Sequence, residues 1–171
     1  EINNFSNYDC QLILGDSSLR STQYQNSSFF TICNYEQVLR DIVVIEQVPW
    51  DLIILDEGQR IKNLEAKTSR IIKGLKSPYA LVLSGTPMEN RLDELFSVVE
   101  FVDPIYLGPN FRFYNDHRVV DEKGKILGYK NLDQLREKLK PILLRRTRSS
   151  VMKDLPPRTT KIVRIEPTDE Q

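Results

Sequence analysis

The chain has 171 residues, which is long enough to bury one hydrophobic core of ordinary domain size. It carries 24 Lys and Arg residues against 24 Asp and Glu residues, so its formal net charge is zero. This balance excludes a global electrostatic attraction to nucleic acid, and any contact with DNA must come from a local cluster of basic side chains. No apolar run approaches the roughly 18 residues of a membrane helix, and no signal peptide is visible. We therefore expect an intracellular protein without a membrane partner.

The first hundred residues alternate between strand and helix patterns. A short helix or turn is expected around residues 18–24, and Asn34 is a predicted N-cap with Gln37 in the capping-box position. Further helices are predicted over 68–75 and after Asn90. Short apolar runs predict four buried strands, at 10–14, 29–33, 52–55 and 80–83. This alternation indicates an α/β fold with a parallel sheet and right-handed crossovers.

The stretch from 105 to 130 breaks this pattern because it is aromatic and charged and has no clean period. We expect a hairpin or irregular segment around the turn signal at 123–125, with the aromatic residues of 111–114 packing onto the rest of the fold. A last helix is predicted after Asn131, again with a capping-box glutamine, and Pro141 should kink or end it.

The cysteines and the histidine give no sign of a metal or redox site. Cys10 and Cys33 lie in apolar runs and have neither metal-ligand nor redox spacing, so we expect reduced core thiols. His117 is the only histidine and has no cysteine or carboxylate cluster at ligand spacing. We expect it to be a surface side chain.

Two polar clusters follow directly after two of the predicted strands. Residues 56–59 (Asp-Glu-Gly-Gln) follow the strand at 52–55, and residues 84–87 (Ser-Gly-Thr-Pro) follow the strand at 80–83. Because the carboxyl ends of parallel strands lie at one edge of a sheet, the clusters should sit side by side.

Each side chain of these clusters suits a step of phosphate chemistry. Asp56 can hold the magnesium ion of a nucleotide, and Glu57 can orient or deprotonate the water that attacks a terminal phosphate. Gln59 has amide donors and an acceptor that can exchange hydrogen bonds with the loop of Ser84, Gly85 and Thr86. These contacts would couple the state of the phosphate to the position of the loop.

The same residues resemble motifs II and III of the Swi/Snf family of DNA-dependent ATPases, in helicase superfamily two. The likeness includes Asp56 to Asn63 and Leu83 to Asn90. It extends upstream through 31–39, which is similar to motif Ib of the family, and downstream through 143–148 and 155–158. Either motif alone would be weak evidence, but together they occur in the right order over most of the chain.

The resemblance implies a partial RecA-like lobe of the P-loop NTPase class, with a three-layer parallel sheet and a protruding insertion. It divides the chain into lobe one at 1–104, the insertion and the helix leading to the lobe junction at 105–155, and a linker with a first strand of lobe two at 156–171. It implies ATP and Mg as cofactors, and as partners double-stranded DNA or a DNA-bound protein and the second lobe of the same parent chain. The residues expected to contact DNA are Asn34, Arg40, Arg60, Lys62 and Arg91, and those near the lobe junction are Arg145 and Arg146.

The phosphate-binding loop of the family is missing from this sequence. Its only Gly-Lys pair, Gly124-Lys125, is followed by Ile126 and lies after motif III. We therefore read the chain as an excised piece of a larger ATPase that is inactive by itself and holds no nucleotide. The sheet edge that would pair with the missing strand should be exposed, which would favour self-association.

Two other functions stay open from the residues alone. The chain can be a binding module that keeps a DNA or protein surface without chemistry, or an unrelated hydrolase that uses Asp56 and Glu57. The second is disfavoured because adjacent residues on one strand point to opposite faces. The location would be the nucleoid region of the cytoplasm in a bacterium and the nucleus in a eukaryote.

Overall fold

The structure is a computed structural model that describes residues 2–26, 28–61, 67–85 and 92–146. The chain divides into two compact units, Glu1–Lys130 and Asn131–Gln171, and each is described by itself. The predicted three-part division stays a prediction, since 147–171 lies outside the described residues.

The first unit alternates short helices with short strands, as the sequence pattern predicts. Its elements in chain order are α1 (Ile2–Phe5), β1 (Cys10–Leu12), α2 (Ser17–Gln25), β2 (Phe30–Ile32), α3 (Tyr35–Ile45), β3 (Leu52–Leu55), a 3-10 helix (Gly58–Ile61), α4 (Lys67–Gly74), β4 (Tyr79–Val82), α5 (Leu92–Val102), α6 (Asn110–His117), β5 (Arg118–Val120) and β6 (Ile126–Tyr129). The second unit contains α7 (Leu132–Leu139).

The strands of the first hundred residues pair in parallel. Strand β1 pairs with β2, and β3 pairs with β4 in the register Leu52 to Tyr79 through Leu55 to Val82. Strands β5 and β6 form an antiparallel hairpin around the turn that the sequence predicts at 123–125. The α/β prediction is confirmed, and the parallel pairing of β3 with β4 places their carboxyl ends together.

The two faces of the β3–β4 pair differ in burial. Leu55 belongs to the main core with residues of α2, α3, α4 and α5, and Val82 packs against that core. On the opposite face, the registered pair Ile54 and Leu81 leaves 45% of each side chain exposed, and Tyr79 is 71% exposed. Within the described part of the chain, the apolar core therefore covers one face of this pair.

A buried ion pair joins α2 to α3. The guanidinium of Arg20 donates to both carboxylate oxygens of Asp41 at 2.6 and 2.7 Å, and both residues are buried. The hydroxyl of Tyr24 donates to the same carboxylate at 3.3 Å. The hydrogen bonds from Arg20 hold the pKa of Asp41 below its ordinary value, and burial raises the pKa of Tyr24. Because losing one partner would leave a buried charge unpaired, this contact fixes the orientation of α3.

The capping box predicted for α3 is confirmed. The side chain of Asn34 accepts from the backbone amide of Gln37, and the side chain of Gln37 accepts from the amide of Asn34. The second predicted capping box is wrong. Asn131 lies in the left-handed region at φ 54°, and it makes no side-chain capping bond to α7. Helix α7 ends at Leu139, shortly before Pro141, as expected.

The segment 105–130 contains a helix that the sequence pattern does not reveal. Helix α6 buries Phe113, whose ring lies 5.0 Å from the ring of Phe96 in α5. The aromatic residue at 111 is exposed, whereas the half-buried ring of Tyr114 also lies 5.9 Å from the ring of Phe96. Two neighbouring rings, and not an apolar stripe, therefore pack this helix against α5. His117 ends α6, half-buried beside Phe113.

Both cysteines are free thiols. None of the helices in the described ranges is long and apolar enough to span a membrane.

Candidate active site at the ends of β3 and β4

The two polar clusters meet because the ladder between β3 and β4 continues beyond the strands. The amide of Leu83 donates to the carbonyl of Leu55 at 2.8 Å, and the amide of Gly58 donates to the carbonyl of Leu83 at 2.8 Å. The turn after β3 is thus hydrogen-bonded directly to the segment after β4. The structure confirms that these clusters lie side by side.

Gly58 lets the turn come this close. A Cβ atom at this position would lie 2.1 Å from Cγ1 of Val82 and 3.3 Å from the carbonyl oxygen of Leu83. The first distance is far below a van der Waals contact, and Val82 packs against the core. Glycine is therefore required for the close approach of the turn after β3 to the end of β4.

The carboxylates of the first cluster lie on an exposed, left-handed turn. Glu57 has φ 51°, which is uncommon for a residue with a Cβ atom. Its amide donates to Oδ1 of Asp56 at 2.9 Å, and the carbonyl of Asp56 accepts from the hydroxyl of Tyr35 at 2.7 Å. Both carboxylates are exposed at the end of β3, where a ligand can reach them.

Gln59 links the two clusters through its side-chain amide. Its Nε2 donates to Oε2 of Glu57, and its Oε1 accepts from the hydroxyl of Ser84 at 3.1 Å. One amide thus spans the candidate hydrolytic carboxylate and the loop after β4. Gly85 is exposed with open space around it, and Thr86 lies outside the described residues. The contact that the sequence predicts is present between Gln59 and Ser84, and its coupling role stays a prediction.

Two buried serines anchor the far end of the turn. The hydroxyls of Ser69 in α4 and Ser97 in α5 both donate to the carbonyl of Ile61, at the end of the 3-10 helix. All three residues are fully buried. Sequence reasoning missed these serines. The available signal was a small polar residue on the apolar side of each helix, which fits a buried hydroxyl with a main-chain partner.

The basic residues proposed for DNA have different surroundings. Arg40 is exposed on α3, whereas the side-chain oxygen of Asn34 is used to cap that helix. Arg60 is half-exposed, pairs with Glu36 at 3.0 Å and lies 5.4 Å above the ring of Tyr35. A hydrogen bond from its own backbone amide, together with Arg60, lowers the pKa of Glu36. Lys62 and Arg91 lie outside the described residues. Arg145 and Arg146 belong to the second unit, where both are exposed.

The side chains at this site suit a magnesium ion that arrives already bound to a nucleotide. Among the described residues there is no group of three or more side chains that could hold a metal ion by themselves. Magnesium is commonly held by one or two carboxylates, several waters and the phosphates of the substrate. The exposed carboxylate of Asp56 fits that partial role, with Glu57 beside it.

An α/β unit with a carboxylate turn and a serine at adjacent strand ends is the arrangement expected of a RecA-like lobe. The model of the SNF2-related domain matches residues 5–171, and the chain belongs to this family. The RecA-like assignment is thereby confirmed, together with the Swi/Snf resemblance.

Individual relatives support the same assignment. The chain is 32% identical over 152 residues to the CHD3-type chromatin-remodeling factor PICKLE of Arabidopsis thaliana, covering 89% of this chain and 10% of that protein. It is 38% identical over 128 residues to the putative ATP-dependent helicase/translocase YwqA of Bacillus subtilis, covering 75% of this chain and 14% of that protein. The chain thus spans a small part of these curated relatives.

Solved structures resemble the chain over most of its length. The Sulfolobus solfataricus SWI2/SNF2 ATPase core in complex with dsDNA matches with a TM-score of 0.73 and 30% identity, over 91% of this chain and 32% of that one. A second solved structure, the Sulfolobus solfataricus SWI2/SNF2 ATPase core domain, matches with a TM-score of 0.62 and 32% identity, over 85% of this chain and 29% of that one. The chain therefore corresponds to about a third of such a core.

We expect the Gly58→Ala substitution to destabilise the fold by about 1–3 kcal/mol, the usual cost of forcing an extra carbon into a packed site. The added Cβ collides with Val82 and must separate the turn from β4. The Gly74→Ala variant is the control, since nothing lies within 4 Å of a Cβ at the end of α4. Urea denaturation measures the free energy of unfolding of both variants. A Gly58→Ala,Val82→Ala double variant should recover part of the loss, and equal stability of the two single variants would contradict the close approach.

Proposed function

We propose that this chain is the later part of the first ATPase lobe of a DNA translocase or remodelling motor, in which ATP hydrolysis drives movement on double-stranded DNA. The observation that carries the proposal is the single amide of Gln59 that bridges Glu57 and Ser84 across the ends of β3 and β4. Family membership supports an ATPase-type parent, and one similar solved core is described as bound to dsDNA.

The proposed chemistry assigns one task to each side chain of the turn. Asp56 would hold the hydrated magnesium of the bound nucleotide, an ion that would supply positive charge beside the phosphates. Glu57 orients the attacking water and accepts its proton. Gln59 keeps the Glu57 carboxylate in place and relays its position to the loop that begins at Ser84, which is the coupling predicted for Ser84, Gly85 and Thr86.

The proposed partners follow from the same assignment. Arg40 is an exposed cation on α3, the helix whose first residue contacts the Asp56 carbonyl, so it is the best supported of the five candidate DNA contacts. Arg60 is a weaker candidate because Glu36 offsets its charge. The second lobe of the same parent would meet the region of Arg145 and Arg146. The intracellular location stays a prediction.

A non-catalytic binding module derived from such a lobe is the alternative function. It would keep the exposed cation Arg40 of α3 without turnover. Hydrolysis by the full-length protein separates the two, since a binding module would stay inactive even with DNA present.

We expect Glu57→Gln, in the full-length protein, to abolish DNA-stimulated ATP hydrolysis while ATP binding stays nearly intact. The amide keeps the shape of the side chain but cannot accept the proton of water. Steady-state ATPase assays and nucleotide-binding titrations measure the two effects. Asp133→Asn in α7 is a control for loss of one exposed carboxylate. Turnover of Glu57→Gln close to that of the unchanged protein would remove Glu57 from the mechanism.

Neutralising Arg40 and Lys62 together in the full-length protein should weaken DNA binding and reduce its salt dependence. Each lost phosphate contact reduces the magnitude of the slope of log K against log salt by about 0.9. The slope of the double variant should therefore be smaller in magnitude by about 1.8. The control is Arg112→Gln with Lys123→Gln, which removes equal charge from exposed positions of α6 and the hairpin turn. Should the control flatten the slope and the test variant leave it unchanged, DNA would contact the insertion instead.

We expect this chain alone to show no measurable ATPase activity and at best millimolar affinity for ATP with magnesium. The phosphates of a nucleotide are held mainly by a glycine-rich loop and its lysine, and the sequence contains no Gly-Lys-Thr or Gly-Lys-Ser run. Self-association is expected through the sheet edge that would pair with the missing strand. Calorimetry measures the affinity for ATP, and sedimentation measures self-association. Micromolar binding of ATP would contradict the predicted weak affinity.

A further inference from the structure

The peptide group between Asp56 and Glu57 is held from both sides. Its carbonyl oxygen accepts from the hydroxyl of Tyr35 at 2.7 Å, and its amide donates to Oδ1 of Asp56 at 2.9 Å. With both its polar atoms bonded, this peptide plane has one preferred orientation.

That orientation matters because the next residue is strained. Glu57 lies at φ 51°, in a region that residues with a Cβ atom adopt only when their surroundings hold them there. The rotation at φ is set by the peptide plane that precedes Glu57, so a shift of this plane would move the Glu57 carboxylate. Its contact with Gln59 would move with it.

Tyr35 is itself rigidly placed. It is the first residue of α3 and lies between the two capping-box residues, Asn34 and Gln37. The guanidinium of Arg60 lies 5.4 Å above its ring, and Arg60 pairs with Glu36, the next residue of the helix. The hydroxyl of Tyr35 is thereby aimed at the turn by packing as well as by the backbone of α3.

We propose that Tyr35 is a positioning residue for hydrolysis, acting through the Asp56–Glu57 peptide to hold the Glu57 carboxylate at the end of β3. This inference depends on the proposed function, because it gives Glu57 the task of orienting water. Tyr35 also ties the hydrolytic turn to α3, the helix that carries Arg40.

A second tyrosine offers a matched control for a purely structural role. The hydroxyl of Tyr24 also donates to an acceptor on or beside α3, in this case the carboxylate of Asp41 at 3.3 Å. Tyr24 is fully buried and Tyr35 is half-buried, and the Tyr24 hydroxyl also interacts with the Cys33 thiol. Removing either hydroxyl therefore removes internal hydrogen bonding. Tyr24 does not touch the turn at Glu57.

The experiment compares Tyr35→Phe with Tyr24→Phe in the full-length protein at saturating DNA. Misplacing a catalytic group by about 1 Å can cost roughly 100-fold in rate, so Tyr35→Phe should lower kcat by about 10- to 100-fold. KM for ATP should stay within about twofold, because Asp56 is still present. Tyr24→Phe should lower the melting temperature without lowering kcat. Equal effects of the two variants on kcat would overturn the proposal, as would an unchanged kcat for Tyr35→Phe.

Amide hydrogen exchange of the full-length proteins gives a readout that does not depend on turnover. Tyr35→Phe should speed exchange in the peptide that covers residues 53–61, and Tyr24→Phe should leave that peptide unchanged. If the wild-type protein hydrolyses no ATP, the proposed function fails. The exchange rates would still show whether Tyr35 holds the turn. Unchanged exchange in Tyr35→Phe would overturn the positioning role whatever the activity.

Discussion

The approach of Gly58 to the end of β4 is the constraint on which the candidate site depends. Hydrogen bonds from Leu83 to Leu55 and from Gly58 to Leu83 extend the parallel ladder past the strands. Only a residue without a Cβ atom allows that extension, since Val82 occupies the space. With the turn held there, Glu57, Gln59 and Ser84 come within one hydrogen-bonded chain. A looser turn would leave the same residues in sequence but not in contact.

Buried polar contacts fix the elements on either side of this turn. The Arg20–Asp41 pair orients α3, which brings Tyr35 to the Asp56 carbonyl. On the other side, Ser69 and Ser97 hold the carbonyl of Ile61. A hydrogen bond of this kind adds little net stability, but an unpaired buried partner is costly, so such contacts select one arrangement over others. They place the turn more sharply than apolar packing alone would.

The sequence predicts those parts of the fold that follow from local pattern. The strands at Leu52–Leu55 and Tyr79–Val82 are continuous apolar runs, and the capping box at Asn34 uses side chains three residues apart. Helix α6 escapes prediction because two adjacent rings, Phe113 and Tyr114, contact Phe96 of α5 across a long sequence separation and leave no helical period in the sequence. The contact of Tyr35 and the left-handed backbone of Glu57 also escape prediction, since a hydroxyl bond over 21 residues and a positive φ have no local signature.

The geometry of the turn bears on the choice between a motor and a binding module. A surface that only binds DNA needs exposed cations, and Arg40 on α3 supplies one without any special backbone. It gains nothing from a left-handed glutamate whose carboxylate is held by Gln59 and whose preceding peptide is held by Tyr35. Strain of this kind persists where surrounding contacts compensate for it, and it is concentrated at sites that need a side chain in one fixed position. The positioning of Glu57 is therefore better explained by a water-directed reaction than by binding alone.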